Sequence, residues 1–302
     1  MGPRLRIVTG KGGVGKSAVA TAFALAETER GRTVLVAEVN GGDKVTSLLG
    51  VAPAGPHMRE VMPRLWTVDM RADEAIHEYV LLTLRFETVY RAVFENRLVR
   101  GFVHLVPSLT ELVMLGKLWY HERERVQGRP RFDAIVLDAP ATGHAIALLG
   151  TPHAVEETVP PGPLRDIARN LQSLLGSPEL TRLHVVTTPE EMPVNEALEL
   201  ERAATGSLGL ALGTTVVNQR LAPLPEGALS TLAPLAAEPA LAASVHALER
   251  REAKRLAGEA ELARLTAPLL ASVVSLPRLV RPRFGLAELR ELAQLLDPVV
   301  AA

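Results

Sequence analysis

Residues 10–17 read Gly-Lys-Gly-Gly-Val-Gly-Lys-Ser, a full match to the phosphate-binding loop pattern G-x-x-x-x-G-K-[ST]. Such a loop turns tightly and points successive backbone N–H groups at a phosphate, and the helix that follows adds its positive N-terminal end. An apolar run precedes the loop at 4–9, and an alanine-rich, helix-forming run follows it at 18–29. The chain is therefore expected to fold around a strand, a loop and a helix that together bind a nucleoside triphosphate.

The loop residues have distinct expected roles at the nucleotide. Lys16 is expected to reach the β- and γ-phosphates, and Ser17 to ligate Mg²⁺. ATP and Mg²⁺ are therefore the predicted cofactors. The residues expected to contact the nucleotide through this loop are Gly12, Gly13, Val14, Gly15, Lys16, Ser17 and Ala18.

Composition limits the classes of protein to which the chain can belong. It has 302 residues, 47% of them hydrophobic, with a net charge of −1, which suits a large α/β domain and gives no general attraction to nucleic acid. It has no cysteine, so disulfides and thiolate metal sites are excluded. No apolar run approaches the roughly 20 residues of a membrane-spanning helix, and the first strand begins almost at once. We expect a cytoplasmic protein without a signal peptide and without intrinsic membrane insertion.

Short β-rich runs alternate with helical stretches along the chain. After the first strand, strands are predicted at 33–39, 65–69, 102–106, 134–137, 183–187, 214–217 and 272–276. Long helices are predicted at 72–97, 109–126, 164–175, 240–265 and 286–296. The alternation predicts a doubly wound α/β fold, with a mostly parallel sheet of the P-loop NTPase type. Ligands of such sheets bind at the carboxyl ends of the strands, where the phosphate-binding loop also lies.

A second motif follows the predicted strand at 134–137. The strand ends at Asp138, as in a Walker B site, where an aspartate holds Mg²⁺ through water. Residues 138–144 read Asp-Ala-Pro-Ala-Thr-Gly-His and resemble the Asp-Thr-Ala-Pro-Thr-Gly-His segment of the arsenite-pump and tail-anchored-protein-targeting ATPase family, with the proline displaced by one position. In that family this segment is switch II, so the resemblance implies that the amide of Gly143 senses the γ-phosphate. For His144 we favour a structural role at a helix start.

Lys11, directly after the first glycine of the loop, extends the resemblance. A lysine at this position is typical of the deviant P-loop class to which the family belongs, where it crosses a dimer interface to the partner's nucleotide. The resemblance therefore implies a dimer that closes on ATP. The alternative is that Lys11 is a solvated loop residue.

Further segments resemble the family over nearly the whole chain. An asparagine at the end of the strand at 214–217 reads adenine in the family, which implies this role for Asn218, although asparagine is also a common turn residue. Pro277 begins the loop that covers the base in the family. Here that loop is basic, with Arg278, Arg281 and Arg283, where we expect an acidic residue. Resemblances also lie at 107–111 and at 186–190 followed by Glu196.

Switch I departs most from the family pattern. The family has Asp-Pro-Ala after its second strand, whereas this chain has Asn40-Gly41-Gly42, so the aspartate that orients the attacking water is replaced by Asn40. Glu38 or Asp43 could substitute, because a Gly-Gly hinge lets a nearby carboxylate approach. We therefore expect slow ATP hydrolysis. The catalytic candidates are Lys11, Lys16, Asn40, Glu38 and Asp138.

We expect a single P-loop ATPase domain over residues 1–302, with a reduced helical subdomain from about 72–128 and 151–178. In the targeting branch of the family, the corresponding helices form an apolar groove for a membrane-anchor helix. The aromatic residues of this region could line such a groove or simply pack on the core. They are Phe86, Tyr90, Phe94, Trp119 and Tyr120. Arsenite binding is not expected, because a soft metalloid requires thiolates.

Three functions remain open from the sequence. The first is a dimeric ATPase that handles a hydrophobic or membrane-associated client. The second is a Min- or Par-like positioning ATPase, although the predicted helix at 286–296 is acidic where a membrane-surface helix needs a basic face. The third is a poorly hydrolysing ATP-binding subunit of a heterodimer with a homologous ATPase, which Asn40 favours. The expected partners are thus a second copy or a homologue and a client, but no nucleic acid.

Overall fold

The structure, a computed structural model, describes residues 2–71, 109–266 and 271–301. The predicted helix at 72–97 and the predicted strand at 102–106 lie outside these residues, as do residues 107 and 108 of the segment 107–111. Among the described residues, no helix combines the length and the apolar composition needed to cross a membrane.

A central sheet has eight strands in the described part of the chain. They are β1 Leu5–Gly10, β2 Val34–Val39, β3 Arg59–Met62, β4 Leu65–Met70, β7 Ala134–Ala141, β8 Thr181–Thr187, β9 Thr214–Arg220 and β10 Ser272–Pro277. Their spatial order is β10-β9-β8-β1-β7-β2-β4-β3, and every pair of neighbouring strands is parallel except β3 with β4. A separate hairpin consists of β5 Arg125–Val126 and β6 Arg129–Pro130. The predicted α/β class with a mostly parallel sheet is confirmed.

Helices cover both faces of this sheet. They are α1 Lys16–Glu29, α2 Lys44–Leu49, α3 Leu109–Arg123, α4 Thr142–Thr158, α5 Pro163–Leu175, α6 Glu191–Thr205, α7 Ala228–Leu232, α8 Pro239–Thr266 and α9 Leu286–Ala301. A short 3₁₀ helix, Ala233–Ala237, links α7 to α8.

The central strands are buried on both faces, as their near-continuous apolar sequences require. On one face α1 and α9 pack together over the sheet, with Phe23 and Leu292 in the shared core. On the other face α3, α4 and α5 pack around Leu115 and Leu171. Each such fully buried side chain stabilises the fold by about 1.5–3 kcal/mol relative to its exposed state. The two layers hold the carboxyl ends of β1, β2 and β7 in fixed positions at one edge.

Several predicted boundaries were wrong for local reasons. β7 continues four residues past the predicted end at 137, because Asp138 and Ala141 still pair with Val8 and Gly10 of β1. The helix predicted to reach 126 ends at Arg123, because Gln127 and Gly128 adopt positive φ angles of 52° and 80° and form a tight hairpin turn. The C-terminal helix runs on from 296 to Ala301.

Candidate nucleotide-binding site

The loop between β1 and α1 has the backbone that its glycines predict. Gly10, Gly13 and Gly15 have φ angles of 151°, 87° and 93°. A Cβ atom at Gly10 would lie 2.0 Å from the carbonyl oxygen of Val186 on β8, so no other residue fits there. Helix α1 begins at Lys16, and no side chain caps its N-terminus. Its first N–H groups are therefore available to an anionic ligand.

Lys16 and Asp138 line the same cleft at this loop. Lys16 donates from Nζ to the carbonyl oxygen of Lys11 at 3.1 Å. Burial lowers the pKa of Lys16 and Lys44 lowers it further, while Asp138 opposes the shift. Burial raises the pKa of Asp138, while the nearby Ser17 hydroxyl and the charges of Lys16 and Lys44 lower it. Lys16 and Asp138 thus each favour the charged form of the other.

The donor set suits a hydrated Mg²⁺ ion. Asp138 is only 6% exposed, and its Oδ1 atom has no hydrogen-bond partner among the described residues. A buried carboxylate oxygen beside the Ser17 hydroxyl matches the oxygen ligands that Mg²⁺ prefers. In the described part of the chain, no group of three or more His, Cys, Asp or Glu side chains is placed to hold a metal ion. Ser17, Asp138 through water, and the nucleotide's own phosphates would hold the ion.

Switch I is fixed by an aspartate that the sequence analysis did not select. Asp69, at the end of β4, accepts hydrogen bonds from the backbone N–H groups of Gly41 at 2.8 Å and Gly42 at 3.3 Å. Arg71 donates to the same carboxylate at 2.9 Å. An acidic residue at the end of an apolar strand is the signal that identified Asp138, and it also applies to Asp69.

Glu38 lies between two other carboxylates in the sheet. Its register partners are Asp69 on β4 and Asp138 on β7. The Glu38 side chain is buried and accepts a hydrogen bond from the backbone N–H of Val45 at 2.5 Å. Burial, and secondarily the nearby aspartates, raise the pKa of Glu38 to about 7. A Cβ atom at Gly41 would lie 2.7 Å from that of Glu38, so a glycine is required at this point of switch I.

The other two switch I candidates, Asp43 and Asn40, differ in the hydrogen bonds of their side chains. Asp43 accepts hydrogen bonds from the backbone N–H groups of Ala54 at 2.9 Å and Gly55 at 2.7 Å. Asn40 has a φ angle of 48°, and its side chain is exposed, with no hydrogen bond to any other described residue. Of Glu38, Asn40 and Asp43, only Asn40 has an exposed side chain that makes no hydrogen bond to another described residue.

These elements enclose one open cleft of about 680 Å³, a volume within the usual range for small-molecule sites. Its walls are the phosphate-binding loop, switch I, the start of α2 and residues 138–141. Lys44 on α2 belongs to it and was not predicted. The predicted site residues that it brings together are Gly12, Gly13, Gly15, Lys16, Ser17, Ala18 and Asp138.

Asn218 lies behind the phosphate-binding loop. Its Nδ2 donates to the carbonyl oxygen of Val14 at 2.9 Å, and its Oδ1 accepts from the backbone N–H of Gln219 at 2.9 Å. A Cβ atom at Gly15 would lie 2.4 Å from that Nδ2. Asn218 therefore supports the loop from β9, while its contact with adenine stays a prediction.

Besides Asn218, six predicted residues do not line the main cleft, namely Val14, Glu38, Asn40 and the three described next. Pro277 lines a second cleft of about 460 Å³, together with residues 220–223 just after Asn218. Gly143 is exposed in the first turn of α4, where an added Cβ would meet nothing within 4 Å. Lys11 forms an ion pair with Glu196 on α6. The roles predicted for these three residues stay predictions.

Comparisons with known proteins agree with this site. The sequence model of the ArsA family, described as anion-transporting ATPases, matches residues 4–161. ATPase BagA of Mycobacterium tuberculosis is 32% identical over 234 residues, which are 73% of this chain and 66% of BagA. An uncharacterised protein of Streptomyces coelicolor is 31% identical over 74% of this chain and 56% of its own length.

A third relative extends the comparison to proteins named for arsenical transport. A protein of Aquifex aeolicus, provisionally named arsenical pump-driving ATPase 2, is 28% identical over 47% of each chain. The chain thus spans 66% or less of the length of each of these three relatives. The family match includes the phosphate-binding loop, switch I and Asp138, which are the elements that form the cleft. The chain therefore belongs to the ArsA family of anion-transporting ATPases.

Proposed function

We propose that this protein binds MgATP in the main cleft and hydrolyses it slowly, and that ATP closes a dimer that handles a hydrophobic or membrane-associated client. The observation that carries the proposal is the convergence of Lys16, Ser17 and Asp138 on one cleft. The loop N–H groups and Lys16 would bind the phosphates. Mg²⁺, when bound, would neutralise charge that develops on the transferred phosphoryl group.

Slow hydrolysis follows from the switch I contacts. A residue that orients the attacking water needs a side chain free to face the γ-phosphate. Glu38 and Asp43 already accept backbone hydrogen bonds, and Asp69 is engaged by Gly41. Asn40 is left as the positioning candidate although it does not line the cleft, and its neutral amide is a weaker proton acceptor than a carboxylate.

Phosphate release from MgATP by the purified protein tests this proposal. We expect a low rate that exceeds the rate of Lys16→Ala, which serves as the blank. Asn40→Asp should be faster than the wild type by about tenfold or more, because it restores a carboxylate at the water-positioning site. A wild type that turns over rapidly would contradict the account of Asn40. If neither the wild type nor Asn40→Asp exceeds the blank, the protein is not an ATPase on its own.

The poorly hydrolysing subunit of a heterodimer is the second candidate, favoured by the exposed amide of Asn40. In this case only Asn40→Asp would release phosphate. A pull-down in a non-hydrolysable ATP analogue would then recover a homologous ATPase, and recovery of copies of this chain alone would reject the heterodimer.

A positioning role of the Min or Par type has less support. Helix α9 turns Leu289, Leu292 and Leu296 into the core against α1, so these side chains are not available to a membrane surface. For client binding, Tyr120 on α3 is 53% exposed, whereas its neighbour Trp119 packs partly on the core. Phe86, Tyr90 and Phe94 lie outside the described residues, so the client groove is a proposal from the family alone.

A further inference from the structure

Lys11 and Glu196 join two elements that are 185 residues apart in the sequence. Lys11 is in the phosphate-binding loop, and Glu196 is in the second turn of α6. Their side chains are about equally accessible, at 30% and 27% exposure, so the pair is partly shielded from water. A partly shielded pair is screened less by salt than a fully exposed one. The contact therefore restrains Lys11 more than solvent alone would.

The same residue also restrains the other lysine of the loop. The carbonyl oxygen of Lys11 accepts the hydrogen bond from Lys16, while the Lys11 side chain contacts Glu196. The negative charge of Glu196 also favours the protonated form of Lys16. One glutamate on α6 thus acts on both lysines of the phosphate-binding loop.

We infer that Glu196 is a positioning residue for Lys11. It holds the ammonium group against its own protomer, and the pair must break before Lys11 can reach a nucleotide in a second copy. The inference rests on the proposed function, in which ATP closes a dimer. It adds that dimer closure is opposed in every protomer by a contact from α6.

The packing of α6 links the Lys11–Glu196 pair to switch II. Helix α6 packs against α4, which begins at Thr142 directly after the residues that line the cleft. Ile146 on α4 packs against the small core that contains Val194 and Ala197 of α6. A movement of α4 that accompanies nucleotide binding would therefore shift Glu196 relative to Lys11.

The first test measures the ion pair itself and needs no nucleotide. Acetylation by an amine-reactive reagent, read by mass spectrometry, gives the reactivity of Lys11 relative to the exposed Lys44 of the same chain. We expect Glu196→Gln to raise this ratio about fivefold, the effect of losing a pair of about 1 kcal/mol. Glu199→Gln removes the same charge from an exposed position on the same helix and should leave the ratio unchanged. Equal ratios in the wild type and Glu196→Gln would overturn the inference.

The second test measures dimerisation by sedimentation velocity. MgATP is saturating, so that a change in nucleotide affinity does not alter the measured dimer affinity. Because two pairs break per dimer, Glu196→Gln should strengthen the dimer about 25-fold, whereas Glu196→Asp and Glu199→Gln should stay close to the wild type. If the dimer is unchanged in Glu196→Gln although Lys11 has become more reactive, the pair does not oppose closure and the inference fails. If the wild type fails to exceed Lys16→Ala in phosphate release, the proposed function fails instead, and the labelling result still stands.

Discussion

At the scale of single residues, the carboxylates of Glu38, Asp69 and Asp138 are register partners on adjacent strands but make different contacts. Asp138 keeps an oxygen atom without a hydrogen-bond partner in the described structure, Asp69 holds the backbone of switch I, and Glu38 caps the start of α2. Three buried negative charges on adjacent strands would repel one another strongly. The raised pKa of Glu38 relieves this repulsion, because the glutamate holds a proton near neutral pH.

Glu38 therefore predicts a pH dependence of stability. Its pKa is about 7 in the folded protein and 4.5 ordinarily, so the folded state binds more protons between these values. The stabilisation is complete below pH 4.5 and is lost as the pH rises through about 7. In Glu38→Gln the amide still accepts the hydrogen bond from Val45 but cannot ionise. The free energy of unfolding of the wild type should fall relative to this variant by about 2–3 kcal/mol between pH 5 and pH 8.

Denaturant titrations at several pH values measure this difference. Glu29→Gln at the end of α1, at an exposed site, is the control and should follow the wild type. Parallel curves for the wild type and Glu38→Gln would show that Glu38 has an ordinary pKa.

The sequence predicted which residues line the cleft, but it did not predict the hydrogen bonds and ion pairs that hold them. A fixed spacing identified Lys16, Ser17 and Asp138, because phosphate and metal binding demand these residue types in this order. Asp69 was missed, since it acts through the backbone of a switch that lies elsewhere in the sequence. The pairing of Lys11 with Glu196 was likewise not predictable, because it depends on how α6 packs.

At the scale of elements, the phosphate-binding loop depends on its close approach to β8 and β9. An alanine at Gly10 would place its Cβ 2.0 Å from the Val186 carbonyl oxygen, whereas an alanine at Gly12 would meet nothing within 4 Å. We expect Gly10→Ala to lower the free energy of unfolding by at least about 3 kcal/mol, and Gly12→Ala by less than about 1 kcal/mol. Thermal unfolding without nucleotide compares the two. Equal losses would mean that the loop can move away from β8.

Asn218 gives a test that separates support of the loop from recognition of the base. If its amide mainly holds the Val14 carbonyl oxygen, Asn218→Ala should weaken the binding of ATP and of inorganic tripolyphosphate by a similar factor, about tenfold for the loss of about 1.4 kcal/mol. Calorimetric titration measures both affinities. A loss confined to ATP would instead assign Asn218 to adenine recognition alone.

Helices and strands with strong patterns were predicted, and those set by tertiary contacts were missed. The central strands are mostly apolar and were found within a few residues of their true ends. Helix α2 was missed because its six residues follow two glycines and its first turn is held by Glu38 from β2. Strand β3 was missed because it is half exposed and exists through its pairing with β4.

At the scale of the whole molecule, the cleft is formed by segments that are far apart in the sequence. The loop after β1, the switch after β2 and the end of β7 meet only when the sheet is complete. The order of these strands was not predicted, because parallel neighbours such as β1 and β7 carry no local signal of their pairing. A ligand that contacts all three segments binds the folded state and not the unfolded chain.

MgATP should therefore stabilise the whole protein by linkage. At a free concentration 100 times its dissociation constant, it should raise the free energy of unfolding by about 2.7 kcal/mol. Lys16→Ala should lose most of this gain, because the lysine that lines the cleft and neutralises the phosphates is absent. Thermal unfolding as a function of MgATP concentration, with Mg²⁺ alone as the reference, measures the effect without any need for hydrolysis. If the wild type and Lys16→Ala gain the same stability, the nucleotide binds outside the phosphate-binding loop. If only the wild type gains it, the cleft is the nucleotide site even where turnover is too slow to detect.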